Sequence, residues 1–161
     1  MADHSDGMGF FPDLMEGKEH VMKYEESVKW KKMIDDGNGG EAAIDIIKTF
    51  SQGKFPFKTN DVSMMTPVWK NVVDAAEKYN DPGTFTSIIG YEWTSTENGN
   101  NLHRNVLYRN NGDIARQMLP YTTSESFNPE ELWKWMERYE EKTGGDVLAL
   151  AHNGNLSNGI M

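Results

Sequence analysis

Apolar positions recur along the chain with two different spacings, and the switches between them mark out an alternation of helices and strands. Residues 18–35 keep Val21, Tyr24, Val28 and Ile34 at roughly helical intervals, with Gly37 just beyond as a stop. Residues 40–50 carry Ala43, Ile46, Ile47 and Phe50 on one face, and Gly53 ends that helix. Residues 54–60, with Pro56, read as a connector. Thr66 and Pro67 suit an N-cap and first helical position, followed by a buried stripe of Trp69, Val72, Val73 and Ala76. The run Asn80-Asp81-Pro82-Gly83 closes that helix.

Residues 84–93 are rich in β-branched and aromatic side chains, which predicts a strand. A polar loop over 94–101, with Gly99 at its tip, leads to a second strand at 105–109, antiparallel to the first. The clearest helix follows. Asn128 caps it, Pro129 takes its first position, Glu131 completes something like a capping box, and Leu132, Trp135, Met136 and Tyr139 form its apolar face. Gly144-Gly145 stops it, and residues 147–151 are a short apolar strand that delivers His152. Strands alternating with helices give an α/β class.

Composition narrows the picture. The 161 residues suit one domain, and 37 % hydrophobic with 11 % aromatic residues is richer than disordered chains. A mean hydropathy of -0.68 and the lack of a long apolar run give no transmembrane helix, so no membrane partner is expected. The net charge of -9, with 16 Lys plus Arg spread along the chain, argues against nucleic acid as a partner. Small phosphoesters stay open, because bound metal ions can invert the local field. The absence of cysteine excludes disulfides and thiolate metal sites. It leaves the compartment open between cytoplasm and periplasm, and the oligomeric state is open too.

The candidate chemistry centres on histidine. Of the four histidines, His4, His103 and His152 sit at strand ends among Gly, Asn and Asp. Functional side chains in α/β folds gather at strand carboxyl ends, although a single histidine is more often structural. Glu92 lies inside the apolar run Ile88-Ile89-Gly90-Tyr91-Glu92-Trp93, where a lone carboxylate is costly unless paired or on a metal. A hairpin placing Glu92 opposite His103 would let both share an ion; the alternative is a Glu92 facing solvent on an edge strand. His20 reads as solvated surface, and alternation points Arg104 away from His103. Asn153 and Asn155 read as turn residues, and Met22, Met33, Met64 and Met65 as core filling. Ser95 and Ser157 have no base-and-orienter pattern for a serine triad.

These residues carry a resemblance. Asp3-His4 resembles the T-D-H motif of PHP (polymerase and histidinol phosphatase) domains, and Gly90-Tyr91-Glu92 their G-x-E strand. Leu102-His103-Arg104 looks like the histidine that follows, and Ala151-His152-Asn153-Gly154 like their A-H-P-G motif, with Asn153 in place of proline. Within that superfamily the chain is most similar to the family called domain of unknown function 3604. The runs that carry this are 92–96, 99–104, 139–145 and 152–159; the likeness is most specific over 90–161 and loose over 13–80.

The resemblance implies a partial, distorted (β/α)7 barrel of PHP type over residues 1–161, a single domain lacking its first and last strands. It implies two or three divalent ions in the complete domain (zinc, manganese or iron), with Asp3, His4, Glu92, His103 and His152 as ligands. Glu92, His103 and His152 would also be catalytic. The implied activity is hydrolysis of a small ester or phosphoester by metal-bound hydroxide. The H-x-H and D-x-H strands of the superfamily are missing, so the present residues are expected to be inactive alone. The other classes carried forward are a non-catalytic metal-binding remnant and an α/β binding module with structural histidines.

Overall fold

The computed structural model describes residues 2–55 and 61–160. Among them are seven α-helices and a four-stranded open sheet, so the class is mixed α/β. The helices are α1 (Phe10–Glu16), α2 (Glu19–Met22), α3 (Glu25–Asp35), α4 (Gly39–Ser51), α5 (Val62–Tyr79), α6 (Gly112–Ala115) and α7 (Pro129–Thr143). The strands β1 (Asp3–His4), β2 (Gly90–Trp93), β3 (Arg104–Tyr108) and β4 (Val147–Ala151) lie side by side in that order. β1 runs parallel to β2, while β3 is antiparallel to both β2 and β4. β1, β2 and β4 therefore point the same way and β3 against them.

Local chemistry accounts for most of these elements. In α7 the Asn128 side chain accepts from the Glu130 N–H at 2.9 Å, and Gly144 ends the helix at a φ of 69° that favours glycine. The expected capping box does not close. Glu131 pairs with Lys134, and the Asn128 N–H donates to Ser126 instead. The single helix expected over 18–35 is two, because Tyr24 is extended and Glu25 and Glu26 open a new first turn where acids are favoured.

α5 begins earlier than Thr66-Pro67 suggests. The Asp61 carboxylate accepts from the Ser63 N–H at 2.8 Å and caps the helix, which leaves Pro67 inside it. The strand expected over 84–93 shrinks to four residues. Residues 84–89 have strand-like composition, but their only described backbone pairings are the bridge between Asp81 and Phe85 and the bond from the Tyr108 N–H to the Ile89 carbonyl. Of the connector at 54–60, residues 56–60 lie outside the described residues.

Two apolar clusters hold the chain together. One packs Tyr91, Trp93, Val106 and Tyr108 of the sheet against Trp69 and Val73 of α5 and Leu132, Trp135 and Tyr139 of α7. The other gathers Phe10, Leu14, Val21, Trp30, Ile46 and Met64 among α1 to α5. Met64 and Met65 are both buried, and Met22 and Met33 pack against the second cluster, so these methionines do fill core.

Candidate metal centre

Strand direction gathers the chemistry at one end of the sheet. His4 is the last residue of β1, Glu92 the third of β2, and His152 follows the last residue of β4. His103 immediately precedes β3, and because β3 runs against its neighbours its beginning lies where theirs end. Register then decides the face. His4 pairs with Glu92, Glu92 with Asn105, and the His152 N–H donates to the His103 carbonyl at 3.0 Å. The hairpin pairing expected between Glu92 and His103 is thus shifted by two residues, with Asn105 directly opposite Glu92. A shift by two preserves the face in a strand of period two, so His103 still meets the carboxylate.

Glu92 is 6 % exposed and His103 7 %. His103 Nδ1 lies 2.7 Å from Glu92 Oε1, His152 Nε2 3.6 Å from Oε2, and His4 Nδ1 3.7 Å from Oε1. Despite the 2.7 Å approach, His103 Nδ1 and Glu92 Oε1 are out of line for a hydrogen bond. Both atoms, and His103 Nε2, are buried without a hydrogen-bonding partner. Burial pulls the His103 pKa below its usual value and outweighs the neighbouring carboxylate, which raises it; His4 and His152 push the same way as burial. A neutral imidazole beside a buried carboxylate follows, and neutral imidazole is the form that binds metals.

His4 is oriented by Thr94, whose Oγ1 lies 2.7 Å from its Nδ1. The single Thr94 hydroxyl proton goes to the Glu92 carbonyl oxygen at 3.1 Å. His4 Nδ1–H is then the donor to Thr94, and Nε2 keeps the free lone pair. Thr94 is itself held by its backbone N–H, which donates to Asp6 Oδ2.

The other sequence-derived candidates fall elsewhere. Asp3 pairs with Tyr91, so it stands on the helix-covered face and lines a cleft with Val72, Ala76 and Ile88. His20 is half exposed and pairs with Asp13 at 2.8 Å. Arg104 donates to the carbonyls of Leu102 and His103. Ser95 donates to the Phe127 carbonyl. Asn153 takes a φ of 56°, which proline cannot adopt, so Asn153 goes with a turn that the resembling A-H-P-G motif could not form.

Two residues near the centre were not singled out as site residues from the sequence. Asp6 is buried, and burial raises its carboxyl to about 6 although bonds from Thr123 and Thr94 pull it back. Asn105 turns to the Glu92 face, and its Oδ1 is buried without a partner. The signal for Asn105 was present: a short amide directly before the apolar run Val106-Leu107-Tyr108, at the parity of His103.

The model of the family described as Protein of unknown function (DUF3604) matches residues 1–161. The chain belongs to that family. No curated protein and no solved structure matches it. In this DUF3604 chain the donors fit a divalent ion in kind: three imidazoles, a buried carboxylate, and unpartnered atoms on His103 and Glu92. Among the described residues, no three His, Asp or Glu side chains are already fanned around a common point.

Proposed function

We propose that this chain carries part of the metal centre of a hydrolase acting on a small ester or phosphoester. The observation that carries this reading is a buried carboxylate inside the sheet with three imidazoles no more than 3.7 Å away. His103 Nδ1 faces the Glu92 carboxylate at 2.7 Å, and its Nε2 is buried without a hydrogen-bonding partner, which leaves that nitrogen for an ion. His4, Glu92, His103 and His152 would hold zinc, manganese or iron, which would supply Lewis acidity at the scissile group.

The chain's own residues have definable parts. Glu92 anchors the imidazoles from the centre of the sheet, and Thr94 fixes the His4 ring so that Nε2 is the free nitrogen. His103, held neutral by burial, is shielded from water by its neighbours. Hydrolysis is redox-neutral: one water oxygen joins the carbonyl carbon or phosphorus, the bond to the ester oxygen breaks, and that oxygen takes a proton.

The open sheet is proposed to be an arc of the distorted (β/α)7 barrel of PHP domains. Supporting this, the face that bears the cluster leaves Leu148 and Leu150 of β4 exposed, as the inner wall of an incomplete barrel would. β3, running against the other strands, is where such a barrel would be distorted.

Elemental analysis of the purified chain, dialysed without chelator, tests the proposal. Retention near one ion per chain is expected. Glu92→Ala should weaken retention about tenfold or more, while His20→Ala leaves it unchanged. Equal retention in the two variants would remove Glu92 as a ligand.

A further inference from the structure

We infer that the ester taken by this site carries a bulky apolar group, aryl or branched alkyl, seated against α1 and α4; the inference rests on the hydrolase reading above. A cavity of about 310 Å³ opens beside the histidine cluster. Its polar end is His4 and His103, and its far wall is Phe11, Ile46, Ile47 and Phe50. That volume lies at the lower end of the roughly 300–1,000 Å³ of small-molecule sites, whose walls are mostly apolar with a few converging polar groups.

The two ends have different chemistry, and a ligand must match both. At the polar end, Asn101 also reaches the cavity, and its side-chain amide can donate to the acyl or phosphoryl oxygens. At the apolar end, Ile47 is 62 % exposed although Ile46 beside it is buried. An isoleucine left open to water inside a concavity gains by covering with apolar surface. A sugar or a second phosphate placed there would lose its hydration to a wall that offers it no hydrogen bond.

Charge points the same way. No Lys or Arg is found among the described residues that line the cavity, and the acid that does is Asp6. Arg104, the nearest cation along the chain, donates to the carbonyls of Leu102 and His103. A polyphosphorylated substrate would therefore meet an acidic chain of net charge -9 with no cationic clamp at this wall. A substrate of low charge, with its scissile group at the histidines and its apolar group on the helices, suits every side of the cavity.

Calorimetric titration of the full chain with phenylphosphonate and with methylphosphonate, before and after zinc reconstitution, tests this. The two probes share a head group and differ only in the apolar part. Phenylphosphonate is expected to bind about tenfold or more tightly. Ile47→Asp should bring the two affinities within about twofold, whereas Ile44→Asp, on the same helix but outside the cavity, should leave the preference intact. Both side chains are well exposed, so neither variant disturbs the core. Equal affinity for the probes, or a preference that Ile47→Asp does not touch, overturns the inference. Zinc content of the same samples separates it from the hydrolase reading. A phenyl preference in a chain that never retains metal supports the apolar seat and removes the hydrolase. Retained metal without a preference overturns the seat alone.

Discussion

Asp6 shows how much one side chain near the centre depends on contacts remote in sequence. Its Oδ1 accepts from the backbone N–H and the hydroxyl of Thr123, at 2.8 and 2.5 Å, and its Oδ2 accepts from the Thr94 N–H at 3.2 Å. Thr94 in turn holds His4, so Asp6 joins the loop at 123 to His4 on β1. Asp6→Asn keeps one oxygen for Thr123 but turns an amide N–H₂ toward the Thr94 N–H, donor against donor. The expected cost is about 1–3 kcal/mol, since a buried donor is left unsatisfied. Urea denaturation measures it, and an unchanged midpoint would show that the Thr94 bond contributes nothing. Nothing in the polar run 3–7 distinguishes Asp6 from Asp3 by type. What separates them is strand register on one side and a contact 117 positions away on the other, and neither has a local signature.

At the scale of elements, the hairpin of β2 and β3 sets the site, and Gly90 sets how closely its strands approach. A Cβ built at Gly90 would stand 2.9 Å from the Val106 carbonyl oxygen and from Leu107 Cδ2. The side chain of Leu107 can yield, but the backbone oxygen cannot move without opening the ladder. Gly90→Ala is therefore expected to destabilise the fold by about 1–3 kcal/mol, read as a lowered urea midpoint. A midpoint within error of the parent would show that the strands relax at no cost. Elements with local causes were legible: β4 spans the apolar run 147–151, and α7 follows its Asn128-Pro129 start. Those governed by a competing neighbour were not. Thr66-Pro67 is a sound start signal, yet Asp61 captures the helix five positions earlier, where its carboxylate reaches the Ser63 N–H. The Glu92 pairing lies two residues from the expected one because the Leu102 N–H donates to the Ser95 carbonyl, a register that places Asn105 rather than His103 opposite Glu92. The parity that matters for the site survived the slip.

For the whole molecule, the division into two clusters was the least legible feature, because it turns on the rotation of α5 between them. Met64 goes into the helical cluster and its neighbour Met65 into the sheet cluster, a divergence that follows from about 100° per residue around a helix. Among the described residues the two clusters are unequal: fifteen buried residues surround the sheet, α5 and α7, against six among the helices before and at the start of α5. Each large side chain fully buried contributes about 1.5–3 kcal/mol, so the smaller cluster has less to hold it closed. Trp30 Nε1 donates to Asp45 at 2.7 Å and ties α3 to α4, but the Lys29–Asp45 pair beside it is solvent-exposed and adds about 0–1 kcal/mol. Regions with fewer buried contacts open at lower free energy than the core. Amides of α3 and α4 are therefore expected to exchange about tenfold or more faster than those of β2, β3 and α7 in native-state hydrogen exchange. Matched protection across both sets would show one cooperative unit instead. The distinction bears on the cavity as well, because its apolar wall stands on α1 and α4 while its polar end stands on the sheet. If the helices open first, the wall can move against a fixed histidine cluster, and ligand binding should then raise protection in α4 more than in β2.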